Sequence, residues 1–483
     1  AGSSVVSEST TAAGLMVLVQ KLLVAASVCL LAGGVFYGVR TALGPDDDLP
    51  DEQIVPVAQT EGAIEAPTTP ETEAADTAEV LLSREDANEL KALLAAYLNS
   101  RQEGATESES DADNADSQGF NLLLAATKQT PDVDPAELFS RWEALLRGDV
   151  DDDPELRAML AQYENAFQLL RRGLSFGDVT MPPSGGLWRS GHYLNGFKHL
   201  AQVMAVKAQL QALDGASRDA LDTFNTLIDF SIVSTRGGGA INGVIGYTMT
   251  GMAAETLAQS LPLLKEDEEV YAITVQNLRR LDQQVVASVD VAAAEAQNFE
   301  TWVDRQLTDL SELRAMLRSE AEGSALYNTI DGMSDDQLSA MFRDASSNLE
   351  NLYGYFAQSY PDAQDSDPSD FATLTPVSDL YLSGMSRVPE REAHAHAAVR
   401  GAMVAAAIEA YRARYSSPPA ALDALVPTYL PEVPEDPYTG APIQYRPTPT
   451  GYVVYSAGPD RLDDGGNPGG SSDDYVVYAA AGS

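Results

Sequence analysis

The residues of this 483-residue chain whose types and spacing suit chemistry gather near its C-terminal end. Gly458-Pro459-Asp460-Arg461-Leu462-Asp463-Asp464-Gly465-Gly466 forms a compact, oxygen-rich loop between two alternating apolar runs around Tyr452 and Tyr475. Carboxylates at Asp460, Asp463 and Asp464, set among Gly and Pro with backbone carbonyls nearby, suit a hard cation that takes six or more oxygen ligands. The spacing is not that of an EF-hand, which needs alternating ligands, a sixth-position Gly and a distant Glu. An ordinary polar hairpin loop is the alternative, with Gly465-Gly466 supplying positive φ, and spacing alone favours it.

Other candidates are weaker. Thr235-Arg236-Gly237-Gly238-Gly239-Ala240-Ile241-Asn242-Gly243 is a glycine-rich loop opening a helix, a place where an anion can sit. It lacks the Gly-Lys-Ser/Thr of a phosphate loop and follows a helix, so a turn with close helix packing at Gly243 and Gly246 is favoured. His394 and His396 are two apart and lie on different faces of a helix, so they cannot chelate together. His192 and His199 are seven apart, too far for a direct ligand pair. The sequence holds no Gly-x-Ser-x-Gly elbow, His-Glu-x-x-His or paired Cys-His arrangement. Acidic pairs are too many for one to stand out, so no catalytic residue is assigned and the chain is not expected to be an enzyme.

Composition narrows the partners. The formal net charge is −42, from 72 acidic and 30 basic residues. That excludes nucleic-acid binding, which needs a basic stripe against phosphates. It suits a solvated extracytoplasmic surface that can take up divalent cations. The single cysteine, Cys29, lies in an apolar run, so no disulfide framework exists.

The elements that must position these residues follow in order. Residues 1–14 are a short tail. The run 15–40 contains Leu22 to Val39 without a charge, the length of a membrane-spanning helix. A signal peptide is the competing reading, because Ala32-Gly33-Gly34 is small, but the apolar run continues to Arg40. Residues 41–82, rich in Asp, Glu, Pro and Thr, read as an acidic disordered tether. Residues 83–360 read as a helical domain, with stripes at Leu138, Trp142 and Leu145, and at Leu156, Leu160, Tyr163 and Phe167. An αα-hairpin follows around the Asp214-Gly215 turn, then further apolar helices to a last one that ends before Pro361. Residues 361–388 are a linker. Residues 389–478 form a closing module whose helix carries the stripe Val399, Met403, Val404, Ala407, Ile408 and Tyr411, suited to packing on a small sheet.

The segment Tyr411 to Tyr478 resembles the C-terminal domain of the major pseudopilins of type II secretion systems. The shared pattern is Pro434, Asp436-Pro437-Tyr438, Gly440, Pro442 and Tyr445, then Tyr455-Ser456, Gly458, Asp460, Asp463, Gly465-Gly466 and Asp473-Asp474. The resemblance implies a long helix on an antiparallel sheet and a structural Ca2+ held by Asp460, Asp463 and Asp474, with Ser456 nearby. The membrane run lacks that family's Gly-Phe cleavage motif and its Glu five residues into the helix, which puts prepilin processing in doubt. The whole arrangement also resembles uncharacterised membrane-anchored envelope proteins of planctomycete-type bacteria, a loose likeness that brings no activity.

The expectation is a mostly α protein: one N-terminal transmembrane helix, a helical domain and a small C-terminal α+β module. It would sit in the bacterial inner membrane with its bulk in the periplasm. It would serve as a structural or interaction protein of the envelope, accessory to a secretion or pilus-like assembly, with protein partners and room for oligomerisation. A helical-hairpin scaffold binding a periplasmic protein, and an enzyme hidden in the helical domain, are the alternatives.

Overall fold

The structure, a computed structural model, describes residues 118–479 apart from 148, 151, 178, 183–192, 265–266, 309, 312–313, 316–331, 373–381, 383–384, 450 and 467–473. The expected tail, transmembrane helix and tether (1–82) lie outside the described residues, as do residues 83–117 of the expected helical domain, His192 and the loop stretch 467–473. Among the described residues no helix is long and apolar enough to cross a membrane.

The described residues are mostly helical, with one three-stranded antiparallel sheet among them at the C-terminal end. The principal helices are α1 (Gln118–Lys128), α2 (Pro135–Arg147), α3 (Pro154–Gln162), α4 (Glu164–Leu174), α5 (Tyr193–Leu213), α6 (Ser217–Val233), α7 (Ala240–Leu264), α8 (Glu268–Asp282), α9 (Ser288–Leu307), α10 (Asp335–Asn351) and α11 (Val388–Tyr415). The strands are β1 (Gln444–Thr448), β2 (Gly451–Ser456) and β3 (Tyr475–Ala479), in the order β1-β2-β3.

Local chemistry explains many boundaries. Asp153 caps α3, one carboxylate oxygen accepting from Glu155 N at 3.0 Å and Leu156 N at 2.9 Å, with Pro154 free of any amide to lose. Ser334 and Gln337 close a capping box on α10. Pro361 does not simply end a helix, as the sequence pattern suggests. It sits in the first turn of a short helix, Tyr360–Gln364, whose cap is Ser359, where a missing N–H costs nothing.

The largest departure from the stripe reading is α11. Its 28 residues span about 42 Å at 1.5 Å per residue. Burial runs all round it rather than along one stripe: Ala393, Ala395, Ala397, Ala398, Ala402 and Ala405 are enclosed along with Val399, Val404 and Ile408. Such a helix belongs in the middle of a protein. It packs on α7 and α8 on one side and on β2 and β3 on another. Small side chains permit the close approach; a Cβ on Gly401 would lie 2.5 Å from Val477 Cγ2 of β3.

The core is therefore continuous across position 388. One cluster of buried side chains runs from Phe120 and Trp142 through Phe224, Leu257 and Leu278 to Val404, Tyr452 and Tyr478. A second gathers Trp302, Phe342 and Leu349 with Met385, Val388 and Ala395. Each fully buried Leu, Val or Phe contributes about 1.5–3 kcal/mol.

Candidate functional site

The C-terminal loop starts where β2 ends. Ser456 is fully buried, and its hydroxyl donates to Asp436 Oδ1 at 2.8 Å while accepting from Gly458 N at 3.1 Å. Asp436, also fully buried, accepts from Tyr438 N at 3.0 Å on the same oxygen and from Ala457 N at 2.9 Å on the other. One carboxylate thus joins the turn before β1 to the residues after β2.

Farther out, Asp460, Asp463 and Asp474 are engaged with the loop and with the strand beside it. Asp460 Oδ1 accepts from Leu462 N at 3.0 Å. Asp463 Oδ1 accepts from the Tyr455 hydroxyl and from Gly465 N, both at 2.9 Å. Asp474 takes Asp464 N at 3.2 Å and Gly466 N at 2.7 Å, one on each oxygen. The Arg446 guanidinium donates to Gly465 O at 2.9 Å and Gly466 O at 3.3 Å. Gly466 needs its missing side chain twice over, for φ +61 and because a Cβ would lie 2.4 Å from the Tyr455 ring.

Of the four expected calcium ligands, the structure brings Asp463 and Asp474 to one turn. Asp460 turns to its own backbone, and Ser456 points inward to Asp436. The carboxylates accept amide donors yet keep lone pairs, and the carbonyls of Gly465 and Gly466 face the Arg446 guanidinium. Among the described residues no three carboxylate, imidazole or thiol groups form a metal-binding set.

Two further clusters flank α11, where spacing placed His394 and His396 on different faces. On one side His396 Nδ1 meets Asp282 Oδ1 of α8 at 2.7 Å, and Arg400 Nε reaches Asp282 Oδ2 at 3.1 Å. Burial works to raise the Asp282 carboxyl, but His396 and Arg400 hold it below the usual carboxylate range. Arg400 also donates to Glu435 O at 2.9 Å, at the wall of a cleft of about 310 Å3 lined by Arg279, Met403, Leu430 and Glu432. On the other side Glu255 of α7, His394 and Tyr475 of β3 come together.

The glycine-rich loop does hold an acidic group at a helix N-terminus, but the group is the protein's own. Glu295 of α9, 1% exposed, accepts from Ala240 N at 2.8 Å, and a Cβ on Gly239 would strike it at 2.3 Å. His199 pairs with the Tyr163 hydroxyl at 2.8 Å, and burial lowers its affinity for a proton. Glu409 of α11, 6% exposed, takes the Tyr452 hydroxyl at 2.7 Å and Arg412 at 2.8 Å.

Asp436, Glu255, Asp282 and Glu295 are the residues that sequence reasoning missed. For Asp436 a signal existed, the Pro434-Glu435-Asp436-Pro437 turn. For the helical acids, the abundance of carboxylates hid the few that are buried. No family model, no curated protein and no solved structure matches this chain.

Proposed function

We propose that this protein is a non-catalytic, membrane-anchored structural and interaction protein of the bacterial envelope, accessory to a secretion or pilus-like assembly. The observation that carries the reading is where its reactive groups point. Asp436, Glu295, Asp282 and Glu409 are each spent on joining one element to another. This is the use of polar chemistry for a rigid body rather than for turnover. The apolar run at 15–40 supplies the anchor in this reading, and the pseudopilin-like end supplies the likeness to a secretion apparatus.

The hairpin-scaffold alternative has less support. The faces of α5 and α6 that would hold a partner, with Val203, Phe224, Leu227 and Ile228, are packed within the core.

Membrane fractionation with protease accessibility tests the anchoring. The full chain is expected in the inner-membrane fraction, with residues 118–479 digestible only from the periplasmic side. A photo-crosslinker at the exposed Leu462, which keeps 64% of its surface, is expected to give a discrete protein adduct in intact cells. A chain found wholly in the soluble fraction, or one without adducts at any exposed position, overturns the reading.

A further inference from the structure

The Glu255–His394–Tyr475 cluster ties three elements that are far apart in sequence. The Tyr475 hydroxyl of β3 donates to Glu255 Oε1 of α7. His394 Nε2 of α11 lies 3.8 Å from that same oxygen, and its ring packs on the Tyr475 ring at 4.4 Å. Gly251, one turn before Glu255, makes the room: a Cβ there would lie 2.7 Å from His394 Nδ1. Tyr475 is the lid over both other groups.

We propose that Glu255 and His394 form a proton-exchange latch for the last strand. When β3 closes onto α7 and α11, one proton passes from the imidazolium to the carboxylate, and a charged pair becomes a neutral one. This does not depend on the envelope role proposed above.

At 3.8 Å the two groups are too far apart for the hydrogen bond that makes a buried ion pair worthwhile, so desolvation favours the neutral forms. Burial raises the Glu255 carboxyl to about 7, against the Tyr475 hydroxyl's pull downward. Burial lowers His394 to about 4, with Arg391 adding to it. Side chains left 22% exposed at Glu255 and 27% at His394 soften both effects. The other groups on this side are Glu390 of α11 and Tyr438, whose field reaches Tyr475, with Tyr360 stacked on Tyr438 at 5.0 Å. Burial keeps Tyr475 and Tyr438 protonated throughout.

The consequence is a cancellation. From about pH 4.5 to 6.5 the open pair holds one proton, on His394, and the closed pair holds one, on Glu255. Equal proton counts give no pH slope. Either residue alone would give a slope of up to about tenfold per pH unit. An unpartnered His394 favours opening as pH falls, because the open state gains a proton. An unpartnered Glu255 favours opening as pH rises, because the open state loses one.

Amide hydrogen exchange of residues 475–479 in the full-length protein, corrected for intrinsic rates, reads the opening constant. Wild type is expected to be flat from pH 4.5 to 6.5. Glu255→Gln is expected to open more at acid pH and His394→Asn more at higher pH, each by up to about tenfold per unit. Identical profiles in all three proteins, or slopes of the same sign in the two variants, overturn the latch. Should a variant fail to fold, histidine-labelled wild type still decides. At pH 5.5 the His394 imidazole is expected to be neutral by its ring nitrogen shifts, and an imidazolium there overturns the proposal.

Discussion

Asp436 shows what a single buried carboxylate can hold. It receives two backbone amides and one hydroxyl, with no water to replace any of them. Hydrogen bonds to a charged group are worth about 1.5–3 kcal/mol, and orphaned partners add a desolvation cost. Asp436→Ala is therefore expected to destabilise the protein by about 3–5 kcal/mol, checked by denaturant midpoint, while Asp460→Ala costs under about 1 kcal/mol. The contrast is instructive because the two were not equally visible. Asp460, Asp463 and Asp474 announce themselves by clustering among glycines, a pattern that reports turn chemistry as readily as cation binding. Arg446 of β1 carries no such flag, yet its guanidinium occupies the carbonyls of Gly465 and Gly466. With the positive charge already supplied from within, chelation is expected to leave the melting temperature of the full chain unchanged. A fall in chelator that Asp463→Ala abolishes would put an ion at this turn.

At the scale of elements, hydrophobic periodicity located most helices because Leu, Phe, Tyr and Trp stripes dominate them. It read α11 as a helix with one buried face, since alanine weighs little in such a pattern while filling a tightly packed centre well. Small residues mark contacts instead. Gly401→Ala gains about 1 kcal/mol of helix propensity, but its Cβ would meet Val477 at 2.5 Å, and overpacking costs about 1–3 kcal/mol. The substitution is expected to destabilise the protein, and a Val477→Ala background to relieve only part of that cost, because the Val477 Cβ would itself lie 2.7 Å away; a double-mutant cycle of denaturant midpoints would detect the partial relief. Glu295 is the matching case for charge. Its carboxylate answers both the orphan amide of Ala240 and the positive end of α7, so Glu295→Ala is expected to cost about 2 kcal/mol, with Glu295→Gln milder. Nothing in the sequence pairs Glu295 with a loop 55 residues earlier; only the fold does.

At the scale of the molecule, the question is whether the closing module is separable from the helices before it. Motifs between Tyr411 and Tyr478 read as a unit because turns and strands are local, and their register is set by neighbours in sequence. What they cannot report is which foreign surface the long helix needs. Leu257, Leu261, Leu278 and Leu281 of α7 and α8 share one core with Val404, Ile408 and Tyr452. The ties at the rim are polar: Glu268 of α8 receives Tyr429 and Arg414, and Asp282 receives His396 and Arg400. A fragment of residues 388–479 leaves the α7 and α8 contacts of α11 open to water, an apolar loss of several side chains at about 1.5–3 kcal/mol each. That is comparable to the 5–15 kcal/mol by which whole domains are stable. The fragment is expected to show no cooperative thermal transition by circular dichroism, whereas residues 118–479 melt in one. A sharp transition in the fragment at the temperature of the longer chain would mean that the sheet and its helix stand alone. In that case the continuous core would be a docking of two finished units instead of one folding unit built around α11.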